Sequence, residues 1–132
     1  MTNDEWCISQ IDPEAVKLVK EIVEKTGAEI VLSSSWRGNK EKNKEFFKQF
    51  GLEISDETTR NLQVTCNNEI LFTFRGLEID YYLSKHHDVS NYVIIDDDSD
   101  MLLYQKDYFV KTDYNIGIQQ CDVDKAINIL NK

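Results

Sequence analysis

The stretch YVIIDDDSD, residues 92–100, sets four apolar or aromatic residues directly against Asp96, Asp97 and Asp98, with Asp100 two positions further on. Adjacent carboxylates repel one another and resist desolvation without counter-charge. Such a run is either a solvated strand end or a place where something cationic sits. Carboxylates at a strand tip suit a hard cation such as Mg²⁺, which takes one or two of them and keeps several waters. Another apolar run, AEIVLSSSW, ends in Ser33, Ser34 and Ser35. Hydroxyls and the amides of a following helix start suit phosphate. Arg75, directly after ILFTF, offers a charge-assisted partner for the same group. Ser33, Ser34, Ser35 and Arg75 facing Asp96, Asp97 and Asp98 would make half of a phosphoryl-transfer site. Each also has a plainer reading. Serines after a strand form turns and cap helices, a lone arginine is commonly a surface group, and a carboxylate run is commonly a solvated loop. His86 and His87 fall at a predicted helix end, where imidazoles suit the last carbonyls, and read as structural. Trp36 and the tyrosines read as packing rather than as a base-stacking platform.

The elements that must position these residues alternate between helix and strand. Asp12 and Pro13 suit an N-cap and a first helical position. Val16, Val19, Ile22 and Val23 then recur at helical spacing up to Gly27, a helix stop. The apolar run around residues 28–32 reads as a buried strand of a parallel sheet covered on both faces. A second helix is predicted over 40–50, with Phe46, Phe47 and Phe50 inward. LQVTCNNEILFTF reads as two strands about the turn pair Asn67-Asn68. RGLEIDYYL reads as a third helix, with Ile79, Tyr82 and Leu83 at core spacing. YVIIDD is the second buried strand, followed by a helical turn over 101–104 and a short strand in YFVKT. The last helix is predicted with Asp122 as its cap and Val123, Ala126, Ile127 and Leu130 inward. The class is α/β.

With 132 residues and 41% hydrophobic content, the chain fits one domain over 1–132 with its own core. A net charge of −9 disfavours non-specific contact with nucleic-acid phosphates. It permits metal ions, basic protein partners, or an acidic surface that imitates nucleic acid. Cys7, Cys66 and Cys121 are odd in number and lack a CxxC pair, so they read as free thiols of a reducing, cytoplasmic setting. Residues 1–10 lack a signal-peptide pattern, and no apolar run reaches membrane-spanning length.

Taken in order, IVLSSSWR, RGLEIDYYL, YVIIDDDSDM and FVKTD…GI resemble the haloacid dehalogenase-like (HAD) superfamily over about residues 11–130. The branch that they resemble is the small HAD domain of Swiss-army-knife RNA-repair proteins. The resemblance implies a three-layer Rossmannoid parallel sheet with a small β-hairpin insertion. It also assigns roles: Ser33 as the phosphate-binding hydroxyl of the second motif, Arg75 as the basic residue of the third, and Asp96 and Asp97 as the metal-binding pair of the fourth, with Asp100 as a helper. Members begin with a strand carrying DxDG, whose first Asp is the nucleophile and whose second is the acid/base. No such motif occurs here: Asp4 has no second Asp two positions on, and Asp12 is accounted for as a cap. The expectation is therefore a degenerate HAD-like domain lacking the usual first strand. It would bind Mg²⁺ weakly and act by binding a protein, a nucleotide or a phosphorylated small molecule, as a pseudoenzyme. The first rival is a Mg²⁺-dependent phosphohydrolase whose nucleophile comes from elsewhere. The second is an acidic inhibitor of a nucleic-acid-binding protein. The missing strand leaves two apolar edges to satisfy. Glu5–Ser9 would supply a rudimentary substitute, the two buried strands would pair directly, or a homodimer or another chain would complete the sheet.

Overall fold

The structure, a computed structural model, describes residues 12–33, 39–59, 63–66, 69–72 and 75–132, with only the backbone described for 63–66 and 69–72. Helix α1 spans Pro13–Thr26. Asp12 caps it by accepting from the Glu14 amide at 3.0 Å. Gly27 ends it in the left-handed region at φ 70°, its N–H donating to the Val23 carbonyl, a conformation in which a Cβ would be strained. Strand β1 (Ile30–Leu32) follows, then α2 (Lys40–Lys48), capped by the Asn39 side chain. The predicted second helix stops two residues early, with Gln49 and Phe50 in a turn. Phe46 is buried against the edges of Phe47 and Phe50, with ring centroids 5.3 and 5.5 Å away.

Strand β2 (Ile54–Glu57) was not expected from the sequence, yet it pairs in parallel with β1. Only Ile54 of its four residues is apolar, so no period-2 signal marks it. Strands β3 (Gln63–Cys66) and β4 (Glu69–Phe72) form the expected antiparallel hairpin. Helix α3 (Arg75–Lys85) leads to β5 (Ile94–Asp96), which pairs in parallel with β6 (Phe109–Lys111). Between β5 and β6 lies a 3₁₀ helix over Leu103–Tyr108, longer and later than the predicted turn. Helix α4 (Gln120–Leu130) closes the chain. Asp122 is not its N-cap. It sits in the first turn and reaches back, Oδ2 accepting from the Gln119 amide at 2.9 Å.

Among the described residues the strands therefore form two parallel pairs, β1–β2 and β5–β6, and a separate hairpin. Direct pairing of β1 with β5 does not occur. Glu5–Ser9, the candidate substitute strand, lies outside the described residues, as do Ser34, Ser35 and Trp36. The core is centred on Ile22 of α1, Val110 of β6, and Val123 and Ala126 of α4, with Val93, Ile95 and Ile118 packed around them. Burial of these apolar side chains is the main stabilising term, roughly 1.5–3 kcal/mol for each large one fully removed from water.

Helix α3 links the two parallel pairs. The Tyr82 hydroxyl donates to Asp56 Oδ2 on β2 at 3.0 Å, and Arg75 reaches Asp96 on β5. His86 stacks on Tyr82 at 3.8 Å and places Nε2 3.6 Å from Asp56, which Lys40 also approaches at 3.4 Å. Burial, followed by the bond to Asp56, pushes the Tyr82 phenol up to about 12. The histidine at the helix end is thus part of a packing joint.

Candidate functional site

Arg75 and the acidic run meet where β5 ends. Arg75 Nη1 lies 2.5 Å from Asp96 Oδ2, with the Asp96 side chain 7% exposed and that of Arg75 23% exposed. The other Asp96 oxygen accepts from the Asp98 amide at 3.0 Å. Burial alone would raise the Asp96 carboxyl, but the Asp98 amide and the Arg75 guanidinium outweigh it, so its pKa falls below the ordinary carboxylate range. Arg75 likewise loses stabilisation to burial and more than regains it from Asp96, which holds it charged. Asp97 behaves oppositely. It is exposed, and a hydrogen bond to the Asp96 carboxyl, with burial second, raises its pKa.

Asp100 works from a distance as the cap of α3. Its Oδ2 accepts from the Arg75 amide at 3.3 Å, and its backbone carbonyl from the Gly76 amide at 3.1 Å. Two of the helix's orphan donors are satisfied this way by a segment 25 residues on. The approach is so close that a Cβ on Gly76 would stand 2.8 Å from the Leu102 nitrogen and 2.9 Å from Met101 Cα. Only glycine fits between these backbones. Gln105, 0% exposed, fastens the joint: Oε1 accepts from the Leu102 amide at 2.8 Å, and Nε2 donates to the Gly76 carbonyl at 3.0 Å. Sequence reasoning missed Gln105, and no local pattern marks it. Gly76 carried a trace of a signal in the RG pair that opens the helix.

The structure thus brings Arg75, Asp96, Asp97 and Asp100 together. Ser33 directly follows β1 and is half-buried, without a hydrogen bond to that group. Arg75 Nε and Asp100 Oδ1 are buried with no hydrogen-bond partner among the described residues. An orphaned donor and an orphaned acceptor at one joint are what a polar ligand or a hydrated ion would satisfy. A tight carboxylate cage is not present among the described residues: no three His, Cys, Asp or Glu side chains form a ligand set. Asp96 is committed to Arg75, so a cation would rest on Asp97 and on Asp100 Oδ1. One or two carboxylates are what Mg²⁺ takes beside its waters.

Beside Asp97 opens a concavity of about 370 Å³, lined also by Lys111, Thr112, Asp113 and Tyr114 at the carboxyl end of β6. A second, of about 260 Å³, lies at the opposite end of β5, between His86, Asn91 and the stacked rings of Tyr92 and Tyr108.

Parallel strand pairs, helices between them, and an arginine–aspartate pair at a strand's carboxyl end define an α/β domain whose polar cluster lies where ligands bind in such folds. The chain belongs to the family described as the HAD domain in Swiss Army Knife RNA repair proteins, whose model matches residues 2–123. No curated protein and no solved structure matches it. No helix among the described residues is long and apolar enough to cross a membrane.

Proposed function

We propose that this domain binds a phosphorylated small molecule at the carboxyl ends of β1 and β5 and does not hydrolyse it. The observation that carries this reading is the charged Arg75, fixed by Asp96 and Asp100 beside an exposed Asp97, in a chain of the HAD family. In the reading, Ser33 and Arg75 hold phosphate oxygens, with Ser34 the neighbouring candidate from the sequence. Asp97 and Asp100 hold a weakly bound Mg²⁺, whose part would be to offset phosphate charge. Nothing in the 132 residues supplies the DxDG pair. Groups that hold substrate and transition state alike do not lower the barrier, and a carboxylate nucleophile is what divides such a hydrolysis into two easier steps. Losing one covalent-catalysis residue can reduce turnover by on the order of a million-fold.

The test pairs binding with turnover. Titration of the ¹⁵N-labelled protein with inorganic phosphate and Mg²⁺ is expected to shift the Arg75, Gly76 and Asp97 amides, with no release of nitrophenol from p-nitrophenyl phosphate. Turnover that disappears in Asp97→Asn would establish a phosphohydrolase instead. Phosphate that leaves those amides unmoved would end the reading altogether.

A further inference from the structure

The concavity beside Asp97 is also lined by Tyr114. That side chain is 83% exposed and makes no hydrogen bond or ring contact among the described residues. The backbone that carries it is nonetheless tightly held. Asp113 Oδ1 accepts from the Asn115 and Ile116 amides at 2.8 and 3.0 Å, and the Asp113 carbonyl accepts from Gly117 at 2.7 Å. Gly117 closes the turn at φ 80°. A solvated turn gains nothing from an aromatic ring, whereas a ring on a fixed backbone offers a flat stacking face with little entropy left to lose. Lys111 lines the same concavity and has no ion-pair partner among the described residues.

We propose that this concavity is a second subsite, in which Tyr114 stacks on a planar ring carried by the ligand and Lys111 is a further cation toward its phosphate. The ligand class is then a small phosphomonoester bearing an aromatic ring, with Tyr114 as the specificity-determining residue. This rests on the phosphate reading above and adds to it the part of the ligand that lies beyond the phosphate.

Three probes separate the two ideas: inorganic phosphate, glycerol 3-phosphate and adenosine 5′-monophosphate, each titrated with Mg²⁺ and followed by amide shifts. The ring-bearing ester is expected to bind about tenfold more tightly than the ring-free one, toward the lower end of what base–aromatic stacking gives. Tyr114→Ala should abolish that preference while leaving phosphate and glycerol 3-phosphate binding as they were, and Tyr114→Phe should keep it. Because Tyr114 is almost fully exposed, neither change threatens the fold. Equal affinity of the wild-type protein for both esters, or a preference that survives Tyr114→Ala, would overturn the subsite and leave phosphate binding standing. Failure of all three probes to bind would remove the phosphate reading and this inference with it.

Discussion

Arg75 carries two loads: its guanidinium neutralises Asp96, and its amide starts α3 on Asp100. Arg75→Met keeps the amide and much of the packing but leaves a nearly buried carboxylate without its cation. Breaking a fully buried pair costs roughly 3–5 kcal/mol. Since the arginine keeps part of its surface in water, about 1–3 kcal/mol is expected at pH 7 once solvent screening is allowed for. The pH dependence has a definite sign. Asp96 is depressed in the folded state, so its contribution is fully present above the ordinary Asp value of about 3.9 and is lost as pH falls through the folded value. The stability gap between wild type and Arg75→Met should therefore narrow below about pH 4. Urea unfolding at pH 7 and pH 3 measures it, and a gap that is constant or widens on acidification would contradict the pairing. Arg75 and the aspartates were legible in the sequence because chemistry-bearing types stood at strand ends. Which of them would neutralise which was not legible, because the Arg75–Asp96 pair joins residues 21 apart through tertiary structure.

At the scale of elements, the start of α3 depends on an absence and an amide. Gly76→Ala drives a methyl into the backbone of residues 100–102, which has no flexible end to yield, and overpacking of this kind costs about 1–3 kcal/mol. Gln105→Leu has similar volume but strands the Leu102 N–H, a donor worth about 1–3 kcal/mol when buried and unmatched, and removes the second donor to the Gly76 carbonyl. Both variants should lower the denaturant midpoint at an unchanged slope, and both should weaken the amide shifts that phosphate induces at Arg75. A Gly76→Ala protein as stable as wild type would mean that the joint is looser than drawn. Helix boundaries were largely readable in advance, since Asp12, Pro13 and Gly27 act locally. Strand β2 was not, because ISDE owes its conformation to pairing with β1 rather than to its own pattern. Asp122 was recognised as a capping residue but placed at the wrong position, since a carboxylate in the first turn can reach back to the cap amide as well as sit at the cap.

Among the described residues of the whole molecule, two parallel pairs of short strands are linked through α3, and no hydrogen bonds pair β1 with β5. Among the described residues, β1 and β5 each have one hydrogen-bonded neighbour, and backbone groups on the second side of a part-buried strand need partners. The alternation of helix and strand foretold the class, but the strand order could not be read, because adjacency in a sheet is decided by how crossovers pack. We propose that the sides of β1 and β5 left unpaired among the described residues take an added strand, from a second copy of the chain or from another protein. Hydrogen exchange gives the discriminating measurement. Amides of residues 30–32 and 94–96 should exchange slowly, and for a homodimer their protection should rise with protein concentration alongside a doubled mass in light scattering. Protection that is independent of concentration in a monomer would mean that the chain completes its own sheet. Rapid exchange at both strands would mean that no strand is added, leaving the α3 bridge through Tyr82–Asp56 and Arg75–Asp96 to hold the halves. In that case Tyr82→Phe, a mild change otherwise worth about 1 kcal/mol, should uncouple the unfolding of the two halves.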